Sequence, residues 1–359
     1  FDLVCLDLIL QAEINSSTGK GTKAVVGLLT ALSYATNPLN LVRDLIKEAI
    51  FEDRKKHKPE ELQKFRSRTQ SLAKKSIKSL ADVAKEKNDP TALFALGQMI
   101  LGKYQIETDK LYKMVVLNSI SPREFEEGRA TYDYLLYFYY PMIADNAIEV
   151  AEKVGGEAGL KVLIDIGNSL FAVHESRSDL SSYDMQFRTL YADKAEKAFK
   201  KAIELSDNAA DLVTMGRLLF VMDRGETSLR AFEKAAEIDP QCEPWLGYVY
   251  LAMGRKEEAK KAFASAGIDP SQVFSTIQID NADPDSDLLL DPDQIKAAIV
   301  LAGRDPNGIA MAVSAVYRQN GYRAIARDVK VKNGNLIVKV QEIKIDKVAV
   351  VPPKDSRIK

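Results

Sequence analysis

From Asn40 to about residue 270 the apolar side chains recur at helical spacing, and past Ser271 the spacing falls to two. Leu41, Leu45, Ile46, Ala49 and Ile50 share one helix face, and Leu62, Phe65, Leu72, Ile77, Leu80 and Val83 continue the pattern. Asn88-Asp89-Pro90 interrupts it, and TALFALGQMILGK opens a new helix on Ala92, Leu96, Gly97 and Ile100. After Gly155-Gly156 the segment GLKVLIDIGNSLFAV predicts a further helix. Its partner, DKAEKAFKKAIELSDN, begins only after residues 174–192, a polar stretch expected to form an inserted loop, with longer helices as the alternative.

Beyond Ser271, VFSTIQID reads as a strand, DPDQIKAAIVLAG and NGIAMAVSAVYRQNGY as two helices, and RDVKVKNGNLIVKVQE as a hairpin. Asn333-Gly334 closes that hairpin, because both residue types tolerate positive φ. Val329 and Val331 should share a sheet face with Leu336, Val338 and Val340, beneath Ile295, Ile299, Ala312 and Tyr317 of the helices.

Residues 209–270 hold two helix pairs of one pattern. Gly216, Leu219, Ser228, Phe232, Ala235 and Pro240 recur in order in the first, and Gly247, Tyr250, Gly254, Ala259, Phe263, Ala266 and Pro270 follow in the second. Small residues let paired helices approach, Phe232 and Phe263 fill what remains, and Asp239-Pro240 and Asp269-Pro270 should stop the second helix of each pair. This pattern resembles the tetratricopeptide repeat (TPR), whose period is roughly 34 residues. Gly167 and Leu170 stand where Gly216 and Leu219 stand, and the helix opened by TALFALGQ reads as a degenerate repeat.

The resemblance implies that the first helix of each pair lines a partner-binding groove. The candidate groove residues are Lys161, Asn168 and Phe171, then Arg217 and Phe220, then Tyr248, with Ile164, Val213 and Leu251 beside them. Lys and Arg suit a carboxylate, Asn168 a peptide backbone, and Phe171 or Tyr248 an apolar side chain. On that reading Arg217→Glu leaves the fold intact and changes only binding. The carboxylate clamp of cytosolic chaperone-binding TPRs is present only in part. Tyr132, Tyr134, Tyr137, Phe138, Tyr139 and Tyr140 form either an aromatic binding wall or core packing.

The strand-helix-helix-strand-strand order, with RQNGY ending the second helix and VQE leading into IKIDKVAV, resembles the polypeptide-transport-associated (POTRA) domain over roughly residues 273–351. That resemblance implies a periplasmic or outer-membrane-associated component of protein transport, whose sheet edge accepts client strands through main-chain bonds. A rival is the BON-type fold, a small lipid-associated α/β domain with a similar hairpin. A cap sealing the last TPR helix is a third. The fold class is therefore mainly α, a TPR-like α-solenoid followed by a small α/β (β-α-α-β-β) domain. Its divisions are an N-terminal helical region at 1–88, TPR-like repeats at 89–271 and the POTRA-like domain at 272–359.

Charge and composition narrow the partners. The 359 residues carry 50 Lys and Arg against 51 Asp and Glu, which gives no reason to expect nucleic acid. Lys and Arg concentrate between Arg54 and Lys87, either a solvated face or a surface for an acidic partner or for anionic lipid, the last implying peripheral membrane association. Two cysteines, Cys5 and Cys242, and two histidines, His57 and His174, offer no metal-ligand spacing. The apolar run that starts at Ala24 is too short to cross about 30 Å of hydrocarbon and reads as a buried helix. Phe1 reads as a trimmed start, with any leader outside the sequence.

SSTGKGTK, at residues 16–23, lacks the earlier glycine and preceding strand of a phosphate-binding loop, and no nucleophile elbow or dinucleotide fingerprint occurs. The expectation is a non-enzyme with no cofactor and no metal that binds protein or peptide partners in envelope protein secretion or outer-membrane assembly. The alternative is a cytosolic TPR scaffold or co-chaperone with a capping C-terminal domain.

Overall fold

A computed structural model of the chain describes residues 77–117, 121, 135–175, 182–303, 305–332 and 334–343. The expectations placed on residues 1–76, on Tyr132 and Tyr134, and on IKIDKVAV after Glu342 lie outside the described residues, apart from Ile343. The described part is a TPR-like α-solenoid followed by a small three-stranded α/β domain. Two compact units divide it, one running to Leu170 and resuming at Asp179–Lys201, the other comprising Phe171–Ser178 and the chain from Ala202 onward.

The first unit begins with helix at residues 77–86, then α1 (Pro90–Val116), which the Asp89 carboxylate caps by accepting from the Ala92 N–H with Pro90 in the first turn. A π-helical turn at Leu135–Tyr139 leads into α2 (Tyr140–Val154). A Cβ added at Gly97 of α1 would lie 3.2 Å from the Tyr140 ring, so the degenerate repeat packs glycine against aromatic. Tyr140 is buried, stacks on Tyr191 at 5.9 Å and shares a 2.6 Å hydrogen bond with the Ser169 hydroxyl. Burial pushes the Tyr140 pKa up to about 12. Core packing thus accounts for Tyr140, whereas Phe138 is 69% exposed.

Helix α3 (Gly156–Glu175) is followed by α4 (Ser182–Leu205). Residues 182–192, expected within a loop, instead form the opening turns of α4, so the chain lengthens a helix there. Within the first unit Gly167 faces the Phe199 ring so closely that no Cβ fits.

In the second unit, α5 (Ala209–Val221) starts at Asn208, whose side-chain oxygen accepts from the Ala210 and Asp211 N–H groups. It pairs with α6 (Gly225–Ile238), and α7 (Glu243–Ala252) pairs with α8 (Lys256–Ala266). A Cβ at Gly216 would sit 2.9 Å from the Phe232 ring, and one at Gly247 would overlap the Phe263 ring. Ser228 adds a 2.7 Å hydrogen bond to the Gly216 carbonyl, which only a small residue permits. Both turns need a left-handed residue, supplied by Asp223 (φ 66°) in the first pair and Gly254 (φ 79°) in the second. Asp239 ends α6 as expected. Helix α8, however, stops at Gly267 (φ 64°), ahead of Asp269-Pro270, because a left-handed C-cap ends a helix before a downstream proline can.

A one-turn helix α9 (Ser271–Phe274) precedes β1 (Ile277–Asn281), α10 (Pro292–Ala302), α11 (Pro306–Gln319), β2 (Ala324–Lys332) and β3 (Asn335–Glu342). The sheet order is β1-β3-β2, with β1 parallel and β2 antiparallel to β3. The hairpin closes between Lys332 and Asn335 with Gly334 at φ 81°. Val338 and Val340 are fully buried beneath Ile295, Ile299, Ala312 and Tyr317, as their alternation requires. A bulge at Ala326/Asp328 shifts the parity of β2, so the face holding Ala324 and Ala326 continues through Val329. Val331 shares that face but is 75% exposed.

The hairpins and the sheet share one core. Phe220, Phe232, Tyr248, Val249 and Phe263 of α5–α8 run without a break into Phe274, Ile295, Ile299, Val313, Val316 and Tyr317. The boundary at residue 271 therefore marks a change of secondary structure, not a break in the core. A pair between Lys256 of α8 and Asp291 at the start of α10, 2.6 Å apart, fastens the rim. The Lys256 hydrogen bond holds the Asp291 carboxyl below its usual range. A depressed carboxylate pKa stabilises above its unfolded value of about 4 and loses that contribution as pH falls through the folded value. Asp291→Asn keeps the cap on Asp293 N–H while removing the charge. The variant should unfold at lower urea than the parent at neutral pH, and the small gap should narrow as pH falls below about 4.

Candidate functional site

The inner face of the last two hairpins is occupied by the chain itself. α10 and α11 pack on α5, and α10 packs on α7, covering the first-helix surfaces that a TPR groove would present. Phe220 is 0% exposed and Tyr248 6%, so neither lines an open groove, contrary to expectation. Their apolar rings make them core: Tyr248 meets Phe263 edge-on at 5.1 Å and Phe274 at 6.1 Å.

Arg217 is also committed. Its Nε donates to the Leu301 carbonyl at 2.7 Å, in the last turn of α10, where helix carbonyls lack intrahelical donors. Its guanidinium lies 5.4 Å from the Trp245 ring centroid and close against Gly303. Burial lowers its pKa. Arg217 is therefore a clamp between hairpin and module rather than a free carboxylate ligand, and its contacts lead us to expect that Arg217→Glu destabilises the fold instead of leaving it intact. Trp245 and Leu301 were not singled out in the sequence, and Gly303, the small residue on which the guanidinium rests, was the available signal.

Phe171 is half-buried and packs against this core, beside a cleft of about 420 Å³ also lined by Glu175, Arg217 and Asp305. Burial, with the Asp305 charge adding, raises the Glu175 carboxyl pKa. Lys161 and Asn168, in the other unit, are exposed on α3. Among the described residues no group of His, Cys, Asp and Glu is placed to hold a metal, and no helix is long and apolar enough to cross a membrane.

Among the described residues, the second unit offers one long open strand. β2 lies at an edge of the sheet. Leu336 N–H donates to Thr276 O, and Val340 O accepts from Ala282 N–H, so both backbones turn toward β1. In an antiparallel ladder such groups alternate, so Val331, opposite Leu336, and Val329, opposite Val338, turn their N–H and C=O outward from β3. Exposed Arg327, Lys330 and Lys332 flank them.

The hairpins with their glycine-on-phenylalanine locks define a repeat-built protein-interaction fold. A family model described as tetratricopeptide repeat matches residues 245–266, which span α7 and α8. No curated protein is similar enough to the chain to count as a match. The family finding supports a TPR protein, and TPR repeats generally mediate protein–protein interaction.

Proposed function

We propose that this chain is a non-enzymatic protein-binding component that takes extended polypeptide segments at the open β2 edge, acting in envelope protein secretion or outer-membrane assembly. The observation that carries this reading is the covering of α5 and α7 by α10 and α11, while among the described residues β2, the longer of the two edge strands, keeps outward backbone groups open to a partner. The POTRA-like order of strands and helices supports the envelope setting. A second reading, a cytosolic TPR scaffold capped by its C-terminal domain, draws support from the shared core.

A photo-cross-linking residue placed at Val331, and separately at Lys161 and Asn168, tests both in the native organism. Polypeptide adducts should form at Val331, with the chain recovered in periplasmic or outer-membrane fractions. Adducts confined to Lys161 and Asn168 would move the site to α3, and a purely cytosolic signal would sink the envelope assignment.

A further inference from the structure

The charges around β2 specify the kind of strand the edge can take. Register places Lys330 opposite Ile337 and Lys332 opposite Asn335, on the sheet face away from the helices, whereas Val329 and Val331 pair with Val338 and Leu336 on the helix side. Arg327, at the bulge, reaches across to the Gln341 side chain on the same outer face. β2 thus carries three cations, Arg327, Lys330 and Lys332, against one carboxylate, Asp328, which pairs with Lys330. On the other face, Val331 leaves an apolar side chain in water directly beside backbone groups that have no partner strand among the described residues.

A strand laid along β2 sets its alternate side chains beside these two rows. One row meets Val329 and Val331, and the other meets Lys330 and Lys332. From this geometry we infer that the β2 edge selects partner segments alternating apolar and acidic residues, an inference that rests on the strand-addition reading above. The same cations argue against a second copy as occupant. Two β2 edges paired antiparallel would set Lys and Arg rows against each other, the usual way an edge is kept from self-association. An acidic strand turns that repulsion into attraction, so one set of charges excludes self and admits a partner.

Labelled short peptides alternating valine with glutamate, threonine or lysine, titrated into the full chain by fluorescence anisotropy, test the inference. The glutamate peptide should bind roughly tenfold tighter than the lysine peptide, threonine between them, with the gap shrinking as salt rises. Lys330→Gln with Lys332→Gln should level the three, and Lys330→Glu with Lys332→Glu should invert the order. Circular dichroism checks that both variants are folded.

Peptides N-methylated at alternate backbone nitrogens separate the two levels of the argument. Methylation should abolish binding. Equal binding of the glutamate and threonine peptides, still sensitive to methylation, would overturn the acidic preference and leave strand addition standing. Glutamate-peptide binding that survives methylation would mean simple polyanion attraction and overturn both, as would no binding by any peptide.

Discussion

Gly247→Leu is expected to destabilise the second unit by about 1–3 kcal/mol, toward the upper end of what overpacking a core costs, and to lower its urea midpoint accordingly. The site has no room for even a Cβ, since the Phe263 ring already occupies that position. Phe263 cannot retreat freely, because it abuts Tyr248, and Tyr248 abuts Phe274 where the module begins. The strain should therefore pass from the hairpin into the α/β domain, which shares its core, and both should unfold in one transition. Adding Phe263→Leu to Gly247→Leu makes space, so the double variant should lose less than the sum of the two single losses. Additive losses, or a neutral Gly247→Leu, would show that the α7–α8 contact is not the close one described.

How much of this was legible in the sequence depends on which contacts repeat. Gly216 with Phe232 and Gly247 with Phe263 stand at matching positions in two consecutive pairs, so the lock could be read from the text alone. The helix that carries Phe199 was legible as the partner of the Gly167 segment, but the start of that helix was not, because a polar run such as 174–192 reads equally as a loop or as added helical turns. Periodicity likewise told which face of α5 and α7 is apolar, but not what covers it. Phe220 and Tyr248 read as groove residues only on the premise that the inner face of a repeat stands open. Their size and apolarity fit burial at least as well, and α10 supplies the cover. The hairpin register followed from Asn333-Gly334 and the alternating valines. The bulge at Ala326/Asp328 did not, although the shift of apolar positions from even to odd numbers between Ala326 and Val329 is its trace.

The clamp at Arg217 gives the sharpest division between a groove and a sealed core. Arg217→Glu is expected to cost about 2–4 kcal/mol, combining a lost charged hydrogen bond, a lost ring contact with Trp245 and a carboxylate set against the carbonyl end of α10. Arg217→Met keeps most of the apolar stem and removes only the donor and charge, so it should cost clearly less. Urea midpoints of the two variants, beside that of the parent, measure the difference. Because the clamp lies on the helix side of the module and β2 lies at the sheet edge, cross-linking yield from Val331 should be unchanged in whatever fraction of each variant is folded. If instead Arg217→Glu is as stable as the parent and loses its partner, Arg217 holds a ligand and the inner face of the last hairpins is open after all.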